Sequence, residues 1–232
     1  MDRSNPYEAA FEAFLKEQAL CYIAVDETRR AVLGDVPVKN LDFIVLAPTG
    51  AKLLVDVKGR QFPGGPADKP RYVWESWATQ EDVNGLTHWQ ALFGLDYLPL
   101  FVFMYHIKPT VTLENTPDVW RHRDDVYLLR GVALDDYRRH MRVRSPKWGT
   151  VNLPKGKFEE VARPFRYYSH ERPAAGPTEE SDGPDQARHL SEVTRAALQA
   201  FVGAGAGPWR ERHRTGHDGR DVAAEPDADG PA

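Results

Sequence analysis

The chain has 232 residues, 41% hydrophobic and 28% charged, with a formal net charge of −4. That is enough for one domain with a sizeable core and something besides. No apolar run approaches the roughly 18 to 20 residues of a membrane helix, and the N-terminus shows no signal-peptide hydrophobic segment, so a cytoplasmic protein is expected. The single cysteine, Cys21, excludes an internal disulfide and a metal-binding cysteine pair; it sits in an apolar run and is expected to be buried. Charge is unevenly spread: residues 171–232 carry 7 basic and 12 acidic side chains, leaving 23 and 22 in residues 1–170. A near-neutral folded part neither supports nor excludes a nucleic-acid partner.

In chain order, the first element is predicted as a helix over 6–18, with Pro6 in the first turn and Tyr7, Phe11, Phe14 and Leu15 as its apolar stripe. A short strand over 21–25 and a polar link follow. Residues 41–46 and 52–58 read as two strands, and Ala47-Pro48-Thr49-Gly50 between them is turn chemistry, which makes them a hairpin. Residues 59–70 read as a Gly/Pro-rich loop. Thr79 and Asp82 form an Asp variant of the capping box, announcing a helix with Val83, Leu86, Trp89 and Phe93 inward and Gly94 at its stop. Strands are expected over 98–107 and 126–132, and a short helix over 135–141. From about residue 171 the composition turns to Ala, Gly, Pro and acidic residues, a disordered tail interrupted by an amphipathic stretch at 186–202. The domain division is therefore 1–170 and 171–232. The order helix, strand, hairpin, helix, strand is that of an α/β unit with a mixed sheet.

Within 52–58, side chains alternate between faces, so Asp56 and Lys58 share one face and Val55 and Val57 the other. A turn centred near Thr49 pairs residues whose numbers sum to about 98, which sets Asp42 opposite Asp56. Two carboxylates that close repel unless one is protonated or a cation lies between them. Both interrupt apolar strands, where polar groups are costly unless paired or functional. Magnesium takes oxygen ligands and keeps waters for a phosphate, which resolves the conflict, and Lys58 can orient or deprotonate a water or stabilise charge on phosphate. A solvated Asp56–Lys58 pair worth about 0–1 kcal/mol is the plain alternative. The apolar flanks and the register favour the functional reading.

The Asp42, Asp56-Val57-Lys58 pattern resembles the PD-(D/E)xK nuclease superfamily, whose restriction-endonuclease-like core runs α-β-β-β-α-β, here followed by a small C-terminal extension. The resemblance implies Asp42, Asp56 and the Val57 carbonyl as magnesium ligands (manganese as a substitute), Lys58 as the residue assisting water, and a glutamate from the first helix. About 100° per residue puts Glu8 some 75° and Glu12 some 115° from the apolar stripe, so Glu8 borders the core and ranks ahead of Glu12. Tyr7-Glu8-Ala9-Ala10-Phe11-Glu12 is also similar to the signature of the uncharacterised bacterial HYExAFE family, with Pro6 in place of its His. The likeness extends over Leu41–Val45, Val55–Arg60 and the Trp-rich segment. Asp56 stands where the superfamily more often has Glu, and Leu41 where a Pro often precedes the first Asp.

Arg60 would share a face with Lys58 if the strand continues, where it could clamp a phosphate. Arg138, Arg139, Arg142, Arg144 and Lys147 could contact a nucleic-acid backbone, or form a solvated helix end. Trp74, Trp77, Trp120 and Trp148 are candidate stacking surfaces, with Trp89 assigned to the core; His88 and His106 are expected to be no more than lone histidines. The expected function is magnesium-dependent phosphodiester hydrolysis on nucleic acid, DNA before RNA, and a homodimer is left open. The alternatives are a non-cleaving nucleic-acid-binding or assembly protein that keeps the fold, and an interaction domain acting through the tail helix.

Overall fold

The computed structural model describes residues 5–25, 31–33, 36–113, 116 and 118–173, with the side chains of 31–33 and 36–38 left aside. The expected tail and its 186–202 helix lie outside the described residues. Helix α1 spans Pro6–Glu17; Asn5 caps it by accepting the Tyr7 N–H at 3.1 Å, and Pro6 fills the first turn, where its missing N–H costs nothing. Strand β1 (Cys21–Ala24) follows, then a small hairpin, β2 (Ala31–Leu33) with β3 (Val36–Val38), inside the stretch expected as an irregular link. Next come β4 (Phe43–Leu46), β5 (Lys52–Phe62), β6 (Ala78–Thr79), α2 (Gln80–Phe93) and β7 (Tyr97–Ile107). The chain closes with β8 (Val119–His122), β9 (Asp125–Ala133), α3 (Leu134–His140), β10 (Arg142–Ser145), β11 (Thr150–Asn152), α4 (Lys155–Val161), β12 (Arg163–Pro164) and a π-turn over Tyr167–Glu171.

The central sheet is mixed, in the order β1-β4-β5-β7-β9-β12 with β8 also paired to β9. Among the described residues only β5 and β7 run parallel, over eleven paired residues, and α2 makes the crossover between them. Helices cover both faces. On one, Leu54, Phe101 and Phe103 pack with Val83, Leu86 and Trp89 of α2, Tyr137 of α3 and Phe158 of α4. On the other, Val55, Val57 and Val102 pack with Phe11 and Leu15 of α1 and with Phe165 and Tyr168 near the C-terminal end of the described chain. The fold is thus mixed α/β with a central sheet flanked by helices, containing the expected α-β-β-β-α-β order and a longer C-terminal addition than the sequence suggested.

Two expectations need correction. Cys21 is exposed, because β1 is the edge strand and the residue opens it. The loop expected from residue 59 begins only after Phe62, since β7 offers β5 a parallel partner as far as the Phe62–Ile107 pair. The capping box of α2 is formed as read: Asp82 N–H donates to Thr79 Oγ1 at 3.1 Å, and Thr79 N–H to Asp82 Oδ2 at 2.7 Å.

Gly59 is where α1 meets β5. A Cβ there would lie 2.1 Å from the Tyr7 ring, far inside contact distance. Gly59→Ala is therefore expected to lower stability by about 1–3 kcal/mol through overpacking, measured by urea denaturation. In a Tyr7→Ala background the same change should cost well under half as much, and additive costs would refute the close approach.

Candidate active site

The β4–β5 hairpin pairs Phe43 with Val55, Ile44 with Leu54, Val45 with Leu53 and Leu46 with Lys52, the register read from the turn. The ladder stops there. Asp42 instead donates its N–H to the Val55 carbonyl at 2.9 Å and accepts the Val25 N–H at 2.9 Å on its own carbonyl. Its Oδ2 takes the Val57 N–H at 2.6 Å, so the carboxylate stands in for the strand residue that β4 no longer supplies. Asp42 and Asp56 therefore converge on the same turn of β5, but Asp42 does so through the Val57 backbone.

Asp56 and Lys58 project to the α2 side of β5, the side of Leu54 and Phe62. Lys58 Nζ lies 2.5 Å from Asp56 Oδ1 and 3.2 Å from Asp82 Oδ1, with the Phe101 ring beneath it at 5.9 Å. Lys39 also bonds Asp82 Oδ1. Its backbone is clamped on α2: its carbonyl accepts the Trp89 indole N–H at 2.9 Å and approaches Gly85, where a Cβ would lie 2.9 Å away. Asp82 was read from the sequence as a helix cap alone. Its second role comes from this approach of Lys39, which no periodicity signals; its place two residues into a capped helix facing the Asp-x-Lys strand is the one available hint.

Asp42, Asp56 and Asp82 are all buried. Burial pushes the Asp56 carboxyl up to about 6, against the pull of Lys58 and with a further push from Asp82. Burial also works against the Lys58 ammonium, but Asp56 and Asp82, with Asp42 behind them, raise it above the usual lysine value. For Asp82, burial is outweighed by Lys58, Lys39 and the Thr79 N–H, which hold its carboxyl below the usual range. Lys58 is thus a cation at neutral pH.

Glu8 is buried and bonded by Asn5, while Glu12 is half-buried and accepts from Tyr22 Oη at 2.9 Å and Lys16 at 2.9 Å. Helix α1 covers the sheet face opposite Lys58 and meets β5 at Gly59 through Tyr7. Arg60 does continue the Asp56–Lys58 face. It is buried with its guanidinium 3.8 Å from the Trp77 ring centre, donating to the carbonyls of Gly59 (2.7 Å) and Trp77, while its Nε has no partner. Burial lowers its pKa. Arg138, Arg139, Arg142, Arg144 and Lys147 are exposed at the end of α3 and along the β10–β11 hairpin. Trp89 and Trp120 are buried, Trp74 stacks on Phe62 at 3.7 Å, and Trp148 is exposed. His88 is exposed, and His106 Nε2 lies 2.9 Å from Asp125 Oδ1.

No protein-family model matches the chain, and no curated protein matches it. Among solved structures, a Holliday junction resolvase, Hjc, from the archaeal hyperthermophile Archaeoglobus fulgidus overlaps 67% of this chain and 91% of its own at 12% identity, with a TM-score of 0.36. An overlap that slight transfers no property from one chain to the other.

The donor set at Asp42 and Asp56 is all oxygen, which fits a hard divalent cation that retains most of its waters. Among the described residues no group of three or more His, Cys, Asp or Glu side chains is placed to cage a metal ion.

The buried network makes a sign-specific expectation. Asp56 has a folded pKa above its unfolded value, so its contribution to stability is full below about pH 4 and lost as pH rises through about 6. Lys58→Met removes the cation that limits that loss. The variant is expected to be destabilised by about 3 kcal/mol at pH 8 and much less at pH 5, in urea denaturation of the metal-free protein. An equal deficit at both values would refute a buried carboxylate held by Lys58.

Proposed function

We propose that this protein is a metal-dependent nuclease that hydrolyses phosphodiester bonds in DNA. One observation carries the reading: the Asp42 and Asp56 carboxylates, both buried, converge on Asp56-Val57-Lys58, Asp42 at the Val57 N–H and Asp56 beside the Lys58 ammonium. Asp42, Asp56 and the Val57 carbonyl would hold a magnesium or manganese ion, with Glu8 completing the set or orienting water. Such an ion supplies Lewis-acid polarisation of a phosphoryl oxygen and a more acidic bound water.

The chain's own residues have separate tasks. Asp82 and Lys39 fix the position of Lys58, which remains charged and therefore suits donating hydrogen bonds to an attacking water or a phosphoryl oxygen. Lys58 could act as a base only if the field of Asp56 and Asp82 were reduced. Arg60, held over the Trp77 ring, sets a further cation on the same face two residues along the strand.

A second reading has its own support. Lys58 bonded to both Asp56 and Asp82 is a nearly balanced ion network, which suits a non-cleaving DNA-binding protein on the same fold.

The two readings separate in a cleavage panel of linear duplex, single-stranded and branched DNA with magnesium or manganese, beside an EDTA control. Asp56→Ala and Lys58→Met are expected to lower the cleavage rate by about a hundredfold or more. Wild type that cuts none of the substrates, or Asp56→Ala that cuts as well, would leave the binding reading standing alone.

The proposal also fixes a pH dependence. Asp56 must lose its proton to bind a cation, so magnesium affinity in calorimetry should climb between about pH 5 and 7 and then level, following a group raised to about 6. Asp56→Asn should abolish the climb. Affinity independent of pH in wild type would count against Asp56 as a ligand.

A further inference from the structure

The hairpin of β10 and β11 is anchored to the start of α2 rather than to the central sheet. Thr150 pairs with Thr79 and Val151 with Ala78, and the Gln80 N–H donates to the Gly149 carbonyl at 2.8 Å. Its turn, Pro146-Lys147-Trp148-Gly149, is thereby tied to the helix whose third residue, Asp82, holds Lys58. Gly149 takes a positive φ of 56°, and nothing lies within 4 Å of where its Cβ would be, so the turn tip stands clear. At that tip Trp148 is 73% exposed, its ring in contact with the Lys147 ammonium at 5.5 Å.

A lone exposed apolar residue needs no explanation. Trp148 differs in what surrounds it. Residues 138–149 hold five Lys and Arg side chains and no carboxylate. Arg142 and Arg144 lie along β10, and the Arg144 guanidinium rests 5.3 Å from the Trp77 ring centre, on an indole that Arg60 also touches at 3.8 Å. Beside this stack is a cleft of about 220 Å³ lined by Trp74, Glu75, Trp77, Arg144 and Lys155 among others, the Glu75 carboxylate being taken up by Arg71 and the Trp77 indole N–H. A cationic track with an open aromatic surface at one end and the Lys58 cluster near the other suits a strand with phosphates along its length and an unpaired base at its end.

The geometry points to the β10–β11 hairpin as the substrate-recognition element: Arg142, Arg144 and Lys147 hold DNA phosphates, and Trp148 stacks on an unpaired base. It rests on the nuclease reading for the choice of DNA, and it narrows the substrate class to DNA with a single-stranded segment. The stack of Arg60, Trp77 and Arg144 then links the bound strand to the β5 site, whereas a blunt duplex would offer Trp148 no base face.

The test is binding by the full chain in EDTA, read as fluorescence anisotropy of labelled DNA: a single strand, a blunt duplex and the same duplex with a single-stranded overhang. Trp148→Ala is expected to weaken single-strand and overhang binding about tenfold while leaving the blunt duplex within about twofold, and Trp148→Phe should restore most of the loss. Arg142→Gln with Arg144→Gln should weaken all three and flatten the dependence on salt. The inference is overturned if Trp148→Ala binds the single strand as wild type does, if the blunt duplex loses as much, or if poly-glutamate competes as well as DNA, which would assign the surface to acidic proteins. Because no cleavage is read, stacking without any nuclease activity would support the hairpin and sink the enzyme, and cleavage with an indifferent Trp148 would do the reverse.

Discussion

The parallel pairing of β5 with β7 shapes everything near the site. Eleven residues of each strand are locked in register, and helices cover both faces, so most side chains of β5 are buried. For Leu53, Leu54, Val55 and Val57 that is the source of stability. For Asp56, Lys58 and Arg60 it is a constraint, because each carries charge into a space that penalises charge. The polar contacts nearby answer that constraint: Lys58 bonds Asp56 and Asp82, Lys39 bonds Asp82 in turn, Asp42 meets the Val57 N–H, and Trp77 lies against Arg60.

The answers are not equivalent. Arg60 is stabilised mainly by carbonyls and an indole face, and one of its N–H groups remains unpaired. Asp56 has Lys58, yet its carboxyl still sits near 6, so the lysine offsets burial only in part. Asp82 is held on the ionised side by two ammonium groups and a helix N-terminus together. The cluster therefore keeps its charge pattern firm at Asp82 and Lys58 and soft at Asp56. A soft carboxylate next to a firm cation can exchange its proton for another cation without moving its neighbours.

How much of this was legible follows from which constraints are local. The β4–β5 register was readable because a four-residue turn fixes it, and the capping box because it spans three residues. Glu8 could be ranked above Glu12 for burial because helical phase is local too. Arg60 was obscured by the Gly and Pro residues that follow it; the strand continues past Gly59 because β7 pairs with it as far as Phe62–Ile107, far along the sequence. Lys39 and Asp82 came together through Gly85, a tertiary approach with no sequence period. Cys21 was misplaced because an apolar run does not reveal whether its strand lies at a sheet edge.

Asp42 shows why placement matters beyond proximity. Had the ladder continued, Asp42 would be a cross-strand neighbour of Asp56, and the pair would differ in little but strand. Instead, the ladder ends one residue earlier and Oδ2 takes the Val57 backbone N–H. That hydrogen bond ties the Asp42 carboxylate to the β5 backbone, while Asp56 points toward α2 and Lys58. The two acids of this hairpin are thus held by different means, Asp42 by the strand backbone and Asp56 by Lys58. The end of a four-residue strand, rather than the acids alone, is what gives the Asp-x-Lys segment its geometry.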